Sequence, residues 1–289
     1  MSLKFFIVDA FAGEPFSGNP AAVVFLEKKL EEEEYLKYSA EFNLSETAFL
    51  LPLEGKSLNL NENPTRFSLR WFTPTVEVNL CGHATLAACA ALEAFGIVAN
   101  EFEFETLSGL LKGVKDEENW CLQFPSNPPA EMEKTWHSEV TNSIFDDNDV
   151  VSKIFYSSAT KKMIIVLDEE LPIDFLRNLQ VDSTRMFESC PSGEVVRGVS
   201  ITKAVKEDEN LDFVSRYFSP WNGIPEDPVN GSSHTNLAPL WAKLLGKVQL
   251  RAKMVSKRGG DLSLQVKEKE VMIGGPSNLF ASGHVCVEI

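Results

Sequence analysis

Positive charge is scarce in this chain. Lys and Arg number 27 against 42 Asp and Glu, a formal net charge of −15. Nucleic-acid binding needs clustered basic side chains to displace counterions, and no such cluster occurs. The same balance disfavours an anionic membrane surface. No run approaches the roughly 20 apolar residues of a membrane-spanning helix. The opening stretch through Gly13 has too short an apolar run, and no cleavage pattern, for a secretory signal. The five cysteines, Cys81, Cys89, Cys121, Cys190 and Cys286, form no C-x-x-C pair. That spacing predicts reduced thiols in a cytoplasmic protein, not a disulfide framework. The four histidines, His83, His137, His234 and His284, do not fall at metal-ligand spacings with the cysteines, so no metal is expected. The phosphate loop GxxxxGK[ST], the dinucleotide signature GxGxxG and the nucleophile elbow GxSxG are all missing. Chemistry must then come from ordinary side chains and backbone, with no cofactor.

What is present suits a two-domain globular protein: 289 residues, 44% apolar, with 20 Phe to fill two cores. Patterning predicts strands near 5–9, 21–26, 47–51, 67–71, 104, 110, 122, 163–167, 198–204 and 285–287. A helix over 31–42 carries Tyr35, Tyr38 and Phe42 on one face and stops at Asn43. Residues 84–95 form a helix apolar nearly all round, which must be buried. A short helix is expected over 173–179. Residues 125–129 read as a linker, with little periodicity from there to Ile154. The pairs Gly259-Gly260 and Gly274-Gly275 read as tight turns. Pro239 should perturb the first turns of its helix.

Cys81-Gly82-His83 leads into a helix ended by Gly96, and Asn230-Gly231-Ser232-Ser233-His234 into another ended by Gly246. The similarity suggests two related halves, each with a buried central helix. Unpaired N–H groups at Gly82, His83, Gly231 and Ser232 would favour anions, and glycine lets backbone approach a ligand. If the halves face each other, both positive ends serve one cleft, suited to a carboxylate and a carbanion-like intermediate. Glu46 lies in Leu44-Ser45-Glu46-Thr47-Ala48-Phe49, flanked by an apolar strand. It is either a surface side chain or a partly desolvated carboxylate that takes and returns a proton. Asp227, before Pro228 and Asn230-Gly231, is either a turn residue or a held carboxylate beside a helix start. His83 is either a helix-start residue or a proton donor at a cleft mouth.

These segments resemble one known family. Asp9-Ala10-Phe11 with Phe16-Ser17-Gly18-Asn19-Pro20-Ala21-Ala22-Val23, and the Glu46 segment, resemble the opening of the PhzF-like isomerases. Leu69-Arg70-Trp71-Phe72-Thr73-Pro74 and Leu80-Cys81-Gly82-His83-Ala84-Thr85-Leu86-Ala87 resemble its most specific block. Ser215-Arg216-Tyr217-Phe218-Ser219-Pro220 and Glu226 through His234 match its second half, in the family's order across nearly the whole chain.

The resemblance implies an α+β, diaminopimelate-epimerase-like fold of two pseudo-symmetric domains, each a sheet wrapped around a central helix. The domains are expected over 1–125 and 126–278, with a C-terminal strand, 279–289, returning to the first. It implies a homodimer without a cofactor, acting on a small carboxylate in the interdomain cleft. Glu46 would be the acid/base, with His83 and Asp227 as further catalytic residues and Ser45, Gly82, Gly231, Ser232 and Asn19 binding substrate. Fold relatives that racemise amino acids use two facing cysteines. Cys81 fits the first position, and no cysteine lies near Asn230-Gly231-Ser232, which disfavours a two-thiol racemase. Alternatives to a proton-shift isomerase are an epimerase or racemase pairing Glu46 or Cys81 with another acid, and a low-turnover interaction protein.

Overall fold

The computed structural model describes residues 3–53, 55–57, 61–116, 119–206 and 208–286. Packing divides the chain into two units, one of 1–123 with 274–289, the other of 124–273.

In the first unit β1 (Lys4–Ala10) and β2 (Asn19–Phe25) precede helix α1 (Glu32–Phe42). Then come β3 (Glu46–Pro52), β4 (Arg66–Phe72), β5 (Glu77–Val78), α2 (Gly82–Phe95), β6 (Glu101–Thr106), β7 (Gly109–Asp116) and β8 (Asn119–Pro125), and the chain returns as β18 (Ser277–His284). Strand pairing runs antiparallel β1–β2, parallel β2–β3, antiparallel β3–β4, parallel β4–β6 and antiparallel β6–β7, with β18 antiparallel to β1. The sheet wraps α2, whose residues from His83 to Cys89 are all buried. A helix without a polar face has no other stable position. α1 lies on the other side, its Tyr35 and Tyr38 packed with Val24, Leu26, Phe49 and Phe72. Its capping box joins Glu31 and Glu34, and Asn43 closes it at φ 50°.

The second unit contains β9 (Ala130–Met132), α3 (Ser138–Ile144), β10 (Val151–Ser157), β11 (Lys162–Leu167), α4 (Ile173–Asn178) and α5 (Ser183–Ser189). It continues with β12 (Gly198–Ala204), β13 (Phe213–Ser219), β14 (Ile224–Asp227), α6 (His234–Leu245), β15 (Gln249–Met254), β16 (Gly260–Val266) and β17 (Glu270–Gly275). Its pairing series is antiparallel β10–β11, parallel β11–β12, antiparallel β12–β13, parallel β13–β15 and antiparallel β15–β16. This is the order found in the first unit, so the suspected repeat is real at the level of topology. The fold is α+β. Val140, Ile144, Met163, Ile165, Leu176, Val199 and Ile201 build a core between sheet and short helices, while α6 packs on β15 and β16.

The structure corrects several expectations. Pro239 does not disturb α6, which is continuous from His234 to Leu245. The carbonyl that Pro239 leaves without its helical donor, Thr235 O, accepts from Asn127 N at 2.9 Å. For the same reason residues 125–129 are no free linker: Ser126 N also donates to Lys269 O. The stretch before Ile154 holds β9 and α3, whose short lengths hide their period. Gly274-Gly275 end a strand instead of turning; a Cβ on Gly274 would stand 2.2 Å from Cys121 Sγ. The last strand is 277–284, residues 285 and 286 are irregular, and Val287 lies outside the described residues. No helix among the described residues is long and apolar enough to cross a membrane.

Candidate active site

In the first unit β2 starts at Asn19, β3 at Glu46 and α2 just after Cys81, and the parallel pairing sets Ala21 opposite Glu46. These starts converge on the His83 ring, which is 8% exposed. Asn19 Nδ2 lies 3.4 Å and Cys81 Sγ 3.5 Å from Nδ1. Ser45 Oγ and Glu46 Oε2 each lie 3.3 Å from Nε2. An amide nitrogen only donates, so Nδ1 accepts from Asn19 and the neutral ring carries its proton on Nε2. Ser45 O–H donates to Pro20 O at 3.3 Å, which leaves its oxygen to accept from that Nε2–H. Glu46 Oε2 is within ion-pair distance of the ring yet off the line of any donor, and it is buried without a hydrogen-bonded partner. That oxygen has a lone pair available for a proton.

A carboxylate oxygen, a thiol and a ring nitrogen of Glu46, Cys81 and His83 all fall within 4.8 Å of one another, a grouping that the sequence spacing did not anticipate. Cys81 Sγ lies beside Nδ1 and Glu46 Oε2 beside Nε2 of the same ring.

The second unit carries a different cluster. Asn230 is locked in orientation: Ser233 N donates to its Oδ1 at 2.6 Å, and its Nδ2 donates to Asp227 Oδ2 at 2.8 Å. Ser232 Oγ donates to the same Oδ1 at 2.9 Å and accepts from Lys162 Nζ at 2.8 Å. The ammonium also lies 5.2 Å from the Tyr217 ring centroid. Burial lowers Lys162 to about 7, against the opposing pull of Asp227. Burial pushes the Tyr217 phenol up to about 12 and His234, whose Nδ1 meets Asn230 O at 2.9 Å, down to about 4. Gly231 and Ser232 lie in a turn before α6, not in its first turn, so the helix start expected at Gly231 falls at His234 instead. Gly82, by contrast, is the first residue of α2.

The family model for phenazine biosynthesis-like proteins (PhzC-PhzF) matches residues 8–283. The chain belongs to that family. A phenazine biosynthesis-like domain-containing protein of Bos taurus is 40% identical over 98% of this chain and 99% of its own. An uncharacterized isomerase of Pseudomonas aeruginosa is 37% identical over 99% of both. Among solved structures, a PhzF-family phenazine biosynthesis protein of Enterococcus faecalis aligns with TM-score 0.84 and 36% identity, covering 99% of this chain and 100% of that one. A hydroxyproline epimerase from Agrobacterium vitis, solved with trans-4-hydroxy-L-proline, aligns with TM-score 0.57 at 12% identity over 98% of this chain and 92% of its own, a likeness of fold alone.

Of the residues singled out in this PhzF-family chain, Asn19, Ser45, Glu46 and His83 form one contact network, with Gly82 between its members. Asp227 and Ser232 join another through Asn230, with Gly231 in its turn. Lys162 was missed. Its signal was faint: a lysine opening a strand in which every residue is buried.

Proposed function

We propose that this family member is an isomerase that shifts a proton on a small carboxylate substrate, with Glu46 as the acid/base and no cofactor. The observation that carries the reading is the buried Glu46 Oε2 beside His83 Nε2 with no hydrogen-bonded donor of its own. Such an oxygen can remove a proton next to an unsaturated or carbonyl-bearing carbon and return it elsewhere. His83, its tautomer set by Asn19, keeps its Nε2–H on Ser45 Oγ beside that carboxylate oxygen. The free N–H groups at the start of α2 favour the negative charge that develops. In this reading Asp227 and Ser232 hold the substrate's polar groups. The names of the Pseudomonas relatives support the isomerase class. Asn230 stands in its motif where Cys81 stands in the first, which argues against a two-thiol racemase.

A thermal-shift screen of cyclic and amino carboxylates identifies a ligand, and proton exchange from D2O into it measures the chemistry. Glu46→Gln keeps the shape and removes the base, and exchange should fall by roughly a hundredfold to ten-thousandfold. Exchange at the wild-type rate in that variant would remove Glu46 from the role.

A further inference from the structure

The second cluster contains a basic group that the proposed chemistry does not use. Lys162 opens β11, is 8% exposed, and sits among Asp227 at the end of β14, Tyr217 on β13, and Ser232 and His234 around the start of α6. Resting on the reading that Asp227 and Ser232 serve the substrate, we propose that Lys162 is a positioning residue whose ammonium dictates which way the Ser232 hydroxyl points.

The argument is one of donors and acceptors. An ammonium has three N–H donors and no acceptor. While Lys162 is charged, Ser232 Oγ can only accept from it, so the serine proton must go elsewhere, and Asn230 Oδ1 stands 2.9 Å away. Asn230 cannot flip to oppose this, because the fixed Ser233 N–H requires an acceptor there. All donors then run one way: Lys162 to Ser232, Ser232 to Asn230, Asn230 Nδ2 to Asp227. A neutral amine has a lone pair, so loss of the lysine proton allows Ser232 O–H to turn toward Nζ. That frees its oxygen lone pairs for a substrate donor and removes one positive charge from beside the Asp227 carboxylate. Burial brings this change to about 7, with Asp227 pulling the other way. Tyr217, pushed up to about 12, and His234, down to about 4, both stay neutral across that range.

The test uses the full chain labelled with 15N at lysine and asparagine, titrated from about pH 5.5 to about pH 9. The Lys162 Nζ signal, assigned by its loss in Lys162→Met, should titrate near 7. The Asn230 side-chain amide should shift with the same midpoint. In Lys162→Arg, whose guanidinium stays charged, that amide should stay at its low-pH position; in Lys162→Met it should not titrate. Asp227→Asn should lower the lysine midpoint, which keeps the proposal testable should the methionine variant fold poorly. An unchanged Asn230 inflection in Lys162→Met, or a Lys162 signal titrating at the ordinary lysine value near 10.4, overturns the proposal. Because Glu46→Gln leaves these groups in place, failure of the isomerase reading would show in the exchange assay and not in this titration.

Discussion

Arg70-Trp71-Phe72-Thr73-Pro74 in the first half corresponds to Arg216-Tyr217-Phe218-Ser219-Pro220 in the second, and the registers follow. Thr47 pairs with Phe72 as Val199 pairs with Phe218; Ala21 pairs with Glu46 as Lys162 pairs with Gly198. The position of Glu46 is therefore a glycine in the second half, and the position of Ala21 is Lys162. Cys81-Gly82-His83 corresponds to Asn230-Gly231-Ser232. The exchange is physically closed at Gly198: a Cβ there would stand 2.2 Å from the Tyr217 hydroxyl. One topology thus builds two polar centres, one with an unsatisfied carboxylate beside an imidazole, the other with a chain of hydrogen bonds that runs from Lys162 through Ser232 and Asn230 to Asp227. A carboxylate oxygen without a donor is open to a proton, whereas groups joined in a chain hold one another in place.

The largest effect expected from this contrast is kinetic. Glu46→Gln should nearly abolish proton exchange, while Asp227→Asn should raise KM more than it lowers kcat. Equal losses of kcat in both variants would mean that the second centre is as chemical as the first.

The next effect tests what the halves share. Arg70 grips Glu77 with Nε and NH2, both at 2.6 Å, and Arg216 grips Glu226 at 2.6 and 2.8 Å. Arg216 is the more buried, at 9% against 16% side-chain exposure, and it also donates to Leu176 O and Leu179 O near the end of α4. Arg216→Met strands a carboxylate and two carbonyls and should cost roughly 3–5 kcal/mol. Arg70→Met should cost less, because it strands no backbone carbonyl: the other partner of Arg70 is the exposed Glu32. Urea unfolding measures both, and a larger loss for Arg70 would break the ranking.

How much of this could be read in the sequence follows from what each residue does. The motif blocks marked Glu46, His83 and Asp227 because their neighbours are unusual residues in fixed order. α2 was legible because a helix without a polar face has one place to go. Lys162 was not, since Lys161-Lys162 before an apolar strand looks like a solvated strand end until the turn at Asn230 is folded over it. The role of Asn127 was hidden because it answers Pro239 across more than a hundred residues, and no local pattern encodes such a partner.

His234 separates the two helices by pH. It corresponds to Thr85, and both side chains bond back to the carbonyl four residues earlier, Thr85 Oγ1 to Cys81 O at 2.6 Å and His234 Nδ1 to Asn230 O at 2.9 Å. Burial holds His234 near 4 against 6.5 when unfolded. A depressed value favours the neutral form in the fold, so the contribution is complete above 6.5 and is lost as pH falls toward 4. The loss amounts to about 3 kcal/mol. His234→Thr should keep the bond and remove that acid-sensitive part of the stability curve. A curve of unchanged steepness between those pH values would show that other groups govern acid unfolding.

The smallest effect concerns Pro239, which has no counterpart in α2. Proline inside a helix ordinarily costs about 3 kcal/mol, partly through the missing hydrogen bond to the carbonyl four residues earlier. Here that carbonyl, Thr235 O, already has the Asn127 N–H at 2.9 Å. Pro239→Ala therefore recovers little: its new N–H must share an acceptor that is already satisfied, and the unfolded chain gains freedom that proline withheld. The expected stabilisation is at most about 1 kcal/mol by thermal unfolding. Amide exchange at Asn127 should stay slow in the variant, because its bond to Thr235 O does not depend on the proline. A gain of the full helix penalty, or fast exchange at Asn127, would mean that the segment before β9 follows α6 and does not repair it.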